Sequence, residues 1–145
     1  MNFEKLPVGL VFHEKALLDG YLYLYEEAPN DGNQVLIEIQ FSSQKISKTD
    51  DTFFQALQNL RKELEDKHIQ ILCNGAARNV YPSPMQMSMG SGRTAYLLKL
   101  GQQAKNADII DIFGYQDSLT FVSVEEQEVF YRDWIRSISE QKYRD

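Results

Sequence analysis

The stretch YLYLYEEAPNDGNQVLIEIQF, Tyr21 to Phe41, decides the fold class. Tyr21, Tyr23 and Tyr25 alternate with Leu22 and Leu24, the PNDGN run supplies turn residues, and Val35, Ile37, Ile39 and Phe41 then alternate with Leu36, Glu38 and Gln40. A period of two on both sides of a turn cluster predicts a β-hairpin. Its second strand sorts the β-branched residues from Glu38 and Gln40, so one sheet face is packed and the other at least partly wet.

Working outward, Val8 to His13 predicts a short strand or extended arm after Pro7, and Leu17-Leu18-Asp19-Gly20 ends in a turn signal. Downstream, Ser42 to Thr49 reads as a polar loop leading to Asp50 and Asp51, acids suited to the positive end of a helix from about Asp51 to Lys67. Phe53, Leu57, Leu60 and Leu64 form its apolar stripe, which must lie on the sheet, while Gln58, Arg61, Lys62, Glu65 and Asp66 decorate the remainder. Ile69 to Leu72, Thr94 to Leu100, Ala107 to Phe113 and Leu119 to Val122 read as further strands. Ser123 followed by Glu126 makes a capping box for a second helix, Val124 to about Glu140, with Phe130, Tyr131, Trp134, Ile135 and Ile138 on one broad apolar face. Hairpin connections outnumber strand–helix–strand crossovers. The expected fold is therefore α+β, a mainly antiparallel sheet with two amphipathic helices packed against it, residues 1–145 forming a single domain.

The totals fit that reading. A chain of 145 residues buries a proper core without disulfides or metal. Net charge is −6 with a pI near 4.9, which argues against nucleic-acid or anionic-membrane binding and favours basic partners. Cys73 is the single cysteine, so no internal disulfide forms and a reducing cytoplasm is expected. The N-terminus lacks a signal-peptide pattern and no apolar run is long enough for a membrane.

Charge is unevenly shared. Ile69 to Ala107 contains no Asp or Glu, where the chain average would place about five or six. It carries only Arg78, Arg93, Lys99 and Lys105, while the rest of the chain is strongly acidic. Within it, Gly75 to Gly92 has no clean period and contains Pro82 and Pro84, so an extended, irregular excursion is expected. On an extended segment Met85, Met87 and Met89 would share one side as an adaptable contact row or a core filler. Arg78 and Arg93, with Ser83, Ser88 and Ser91, could hold a carboxylate or phosphate. Tyr81 beside Pro82 is either a contact residue or buried packing.

Other constellations lead less far. Cys73 and Arg78 are separated by four residues, one fewer than in tyrosine-phosphatase-like loops, and a Tyr-Pro follows where those loops enter a helix. Gly90-Ser91-Gly92-Arg93 lacks the lysine and following helix of a phosphate loop. His13 and His68 have no carboxylate at ligand spacing, and no cofactor or metal is expected. His68 fits a helix C-terminus. Asp50–Asp51 and Asp108–Asp111 read as capping or solvated acids.

The run CNGAARNVYPSPMQMSMGSGRTAYLLKLG followed by DIIDIFGY, Cys73 to Tyr115, resembles a pattern shared by small, little-characterised bacterial cytosolic proteins, some of the toxin-immunity type. That resemblance implies a non-enzymatic module whose partner is another protein. Arg78, Tyr81, Ser83, Met85, Met87, Met89 and Arg93 are the expected binding residues. Either the acidic body engages a basic partner or the acid-free stretch engages an acidic one. The alternatives are a small-anion binder or hydrolase using Cys73 with Arg78 and Arg93, and a secretion chaperone.

Overall fold

The computed structural model describes residues 2–144, with side chains through residue 140. Four strands, β1 (Glu4–Phe12), β2 (Ala16–Tyr25), β3 (Val35–Phe41) and β4 (Gln44–Asp50), form an antiparallel meander. After a helix, β5 (Ile69–Leu72) returns beside β1, giving the order β4-β3-β2-β1-β5. The hairpin forms with Tyr21 opposite Gln40, Tyr23 opposite Glu38 and Tyr25 opposite Leu36. Leu22, Leu24, Val35, Ile37, Ile39 and Phe41 are all buried, so the three tyrosines lie on the opposite face.

Two expectations about turns are corrected. Ser42 to Thr49 is not a loop: Ser42 and Ser43, at φ 46° and 64°, make a two-residue turn between Phe41 and Gln44, and β4 follows with Ile46 buried. Two successive left-handed residues match the twist of a hairpin, but no Asn or Gly announces them. Leu17 to Gly20 lies within β2, and the turn before it is His13-Glu14-Lys15, where the Lys15 N–H donates to the Phe12 carbonyl at 3.1 Å.

Helix α1 (Phe53–Asp66) begins at Thr52, whose hydroxyl accepts from the Gln55 N–H at 3.2 Å. Asp50 works nearby instead, accepting from the Asp51 N–H at 2.7 Å and from Asn59 at 2.9 Å. Phe53, Leu57, Leu60 and Leu64 are fully buried against the sheet.

A second antiparallel sheet, in the order β6-β7-β8, is built from β6 (Val80–Tyr81), β7 (Thr94–Leu97) and β8 (Ile109–Asp111). Between β6 and β7 the expected irregular excursion contains a short helix, α2 (Pro84–Ser88). Ser83 and Gln86 cap it reciprocally at 3.1 and 2.8 Å, and Pro84 begins its first turn. Leu119 to Val122 is not a strand in the described structure beyond one bridge between Ala77 and Phe121. Ser123 and Glu126 form the expected capping interaction for α3 (Val124–Arg144). This helix packs chiefly on α1 and β6. Val124 and Gln127 face inward, while Ile135, expected on the packed face, is exposed. Among the described residues no helix is long and apolar enough to cross a membrane.

Replacing Ser42-Ser43 by Asn-Gly should stabilise the domain by about 0.5–2 kcal/mol, read as a higher urea midpoint at unchanged slope. An unchanged or lower midpoint would show that the turn is not limiting.

Candidate functional site

The acid-free stretch is brought to several places. Arg93 makes a forked pair with Glu4 at 2.7 and 3.2 Å and reaches Asp111 at 3.4 Å. That hydrogen bond is the main reason the Glu4 carboxyl lies below its ordinary range, and the same contact raises Arg93. Arg78 is exposed instead beside the first half of α3, its backbone N–H bonded to the Thr120 carbonyl at 2.9 Å. The two arginines therefore sit in different surroundings and form no common anion cradle.

Tyr81 is half-buried, stacked on Tyr131 with ring centres 3.9 Å apart and edge-on to Phe54 at 5.0 Å. Burial is the first cause of its raised phenol pKa. Ser83 serves as the α2 cap. The methionine row is split because the segment is helical: Met85 and Met89, four residues apart, are 69% and 75% exposed, while Met87 packs on the core. The Met87 sulfur accepts from the Thr52 hydroxyl at 3.7 Å.

Cys73 ends β5 in the core, 1% exposed, and burial pushes its thiol up to about 11 while the nearby Arg61 charge opposes the rise. At neutral pH it is a protonated, enclosed thiol, the reverse of an activated nucleophile.

Sequence reasoning missed the polar centre of the molecule. Arg61 was expected on the wet side of α1 and is 1% exposed. It donates to the Gln127 side-chain oxygen at 2.6 Å, the Val122 carbonyl at 2.8 Å and the Gly75 carbonyl at 3.3 Å. Gln127, fully buried on α3, shares its amide protons among the carbonyls of Gly75, Ala77 and Val80 at 2.8–2.9 Å. Gly75 is required at this crossing, because a Cβ there would lie 2.6 Å from Leu57 Cδ2. The spacing of Leu57, Arg61 and Leu64 is the signal that could have placed Arg61 inward, since i, i+4 and i+7 share a helix face.

Held by that centre, α3 leaves an open groove of about 440 Å³ between itself and Arg78. Val129 and Phe130 supply its apolar part; Glu125, Glu126 and Asp133 supply three carboxylates against one guanidinium. Among the described residues no group of three or more His, Cys, Asp or Glu side chains could hold a metal ion. The chain matches no family model and no curated protein.

Gln127→Glu should destabilise the fold by at least about 2 kcal/mol even though it sets a carboxylate beside Arg61, because three buried carbonyls lose their donor. Arg61→Ala should cost about 3–5 kcal/mol, both read from urea unfolding. For Cys73, folded and unfolded thiols are both protonated below pH 9; above it the unfolded thiol ionises first, so stability falls as pH rises toward 11. The loss should reach about 2–3 kcal/mol relative to a Cys73→Ala control, and equal slopes in the two proteins would refute it.

Proposed function

We propose that the chain is a non-enzymatic protein-binding module of the immunity or accessory-inhibitor kind, acting in the bacterial cytoplasm on a basic partner protein. The observation that carries this reading is the α3 groove, where exposed Val129 and half-buried Phe130 are bordered by Glu125, Glu126 and Asp133. Apolar surface in such a place supplies contact area, and one-signed charge around it speeds encounter with an oppositely charged surface and rejects like-charged ones. Of the two arginines expected to attract an acidic partner, Arg93 is engaged by Glu4 and Asp111 and Arg78 faces a majority of carboxylates. This favours the basic partner over the acidic one. A buried, reduced thiol suits a reducing compartment, and its protonated state weighs against a hydrolase working through Cys73.

The test is affinity capture from native host lysate with folded full-length variants, bound proteins being identified by mass spectrometry. Glu125→Lys with Asp133→Lys should abolish capture of a stoichiometric basic protein, and raised salt should slow its association. Arg78→Ala should bind equally or more tightly. A partner that survives the charge reversal but is lost on Met85→Ser with Met89→Ser would move the contact to α2 and overturn the groove assignment.

A further inference from the structure

The outer face of the five-stranded sheet is open along β1 to β4, lies on the side away from α1, and is distinct from the α3 groove. Alternation turns Lys5, Pro7 and Gly9 of β1 and Asp19, Tyr21 and Tyr23 of β2 to this side. Tyr21 is 46% exposed and Leu17, further along the same row, 71%. Phe3 extends the aromatic surface, its ring 5.6 Å from Tyr23 and 5.4 Å from Tyr25. We propose that this face packs against the same face of a second copy of the chain, forming a two-fold symmetric dimer.

Three observations select a second copy. The face is electrically balanced although the chain carries −6: its strand positions present Lys5 and Lys45 against Asp19 and Glu38, the latter pair of rows joined by a 3.5 Å Lys45–Glu38 contact. A like copy is therefore not repelled there, as it would be at the acidic α3 groove.

The face is also complementary to itself. Gly9, having no side chain, leaves a shallow notch with Pro7, Asp19 and Tyr21 at its border on the β2 side, while the Leu72 side chain closes it on the β5 side, 3.3 Å from where a Cβ would stand. In the register, Pro7 pairs with Tyr21, with Lys5–Tyr23 one step to one side and Gly9–Asp19 one step to the other. A two-fold axis in the plane of the face, along the Pro7–Tyr21 row, sets the Lys5–Tyr23 ridge of each copy over the Gly9–Asp19 notch of the other. Lys5 already leans toward that row, its Nζ 4.4 Å from the centre of the Tyr21 ring, and would meet the Asp19 carboxylate of the second copy.

The size is sufficient. Strands of 9, 10, 7, 7 and 4 residues, at about 3.3 Å per residue and about 4.8 Å spacing, give on the order of 600 Å² per copy, the lower end of the ~600–1,000 Å² per partner of a stable interface. Sheets packed in this way form an aligned sandwich about 10 Å deep between planes.

Sedimentation velocity on the full chain up to about 100 μM tests this, with circular dichroism as the folding control. The wild type should sediment as a dimer of the 16.8 kDa chain. Tyr21→Glu, Lys5→Glu and Asp19→Lys should each weaken dimerisation at least about tenfold, and Lys5→Glu combined with Asp19→Lys should restore it by exchanging the paired charges. A monomeric wild type overturns the proposal. So does a dimer indifferent to Tyr21→Glu, and singles that weaken it without restoration in the double variant overturn the Lys5–Asp19 register.

Discussion

The buried Arg61 guanidinium, held by carbonyls and by Gln127, is the constraint on which the arrangement of the helical half depends. Burial lowers its pKa, and the charge interactions with Cys73 and Glu65 oppose that shift. Its bonds run to three segments: the turn after β5, the chain entering α3 and α3 itself. A cation in the core normally costs more than it returns unless its protons find acceptors. Here the acceptors are carbonyls that the irregular chain around Gly75 and Val122 leaves outside any ladder, so each group answers the other's desolvation. Of the three guanidinium nitrogens only Nε lacks a hydrogen-bond partner among the described residues. Glu65 adds to the same junction by accepting the Val124 N–H at 2.9 Å, which fixes where α3 starts.

That junction disfavours acids in the first part of Ile69 to Ala107. This part threads between α1, α3 and the core, where a carboxylate would face Gly75, Ala77 and Val80 carbonyls already competing for donors. Arg93 meets acids contributed from elsewhere in the chain, Glu4 and Asp111. Of the four cations in the stretch only Arg93 is absorbed in this way, while Arg78, Lys99 and Lys105 are exposed. At the surface Arg78 meets the acidic border of α3.

The sheet was legible wherever one face is buried along a run of alternating residues, because slipping the register by one would expose Ile37, Ile39 and Phe41 together. Strand length was not. β2 runs nine residues past its start through Gly20, a residue that reads as a turn signal but here lies where a Cβ would come within 2.9 Å of the Gln40 carbonyl. The Ser42-Ser43 turn carried no glycine or asparagine to mark its left-handed backbone. In the helices, position and chemistry disagreed. Arg61 occupies an inward position by spacing and an outward one by residue type, and burial followed spacing because acceptors were waiting. The same conflict hid Gln127. For the candidate site, sequence identified Arg78, yet its setting depends on how α3 crosses the chain, a contact made across more than forty residues.

The layering has a consequence for how the two surfaces work together. The inner face of the large sheet is occupied by α1, and α3 lies on α1, so the groove at Val129 and Phe130 belongs to the helical side while Tyr21 and Tyr23 face the opposite way. Pairing through the tyrosine face therefore leaves both grooves of a dimer outward and unobstructed. Two grooves on one such body would engage a dimeric or repeated basic partner with an effective local concentration that a monomer lacks, so modest affinity at each groove would become tight retention. A monomeric partner gains nothing from it. On the proposed function and pairing, avidity would be a property of the partner's own symmetry, with the acidic groove selecting charge and the sheet face setting the spacing.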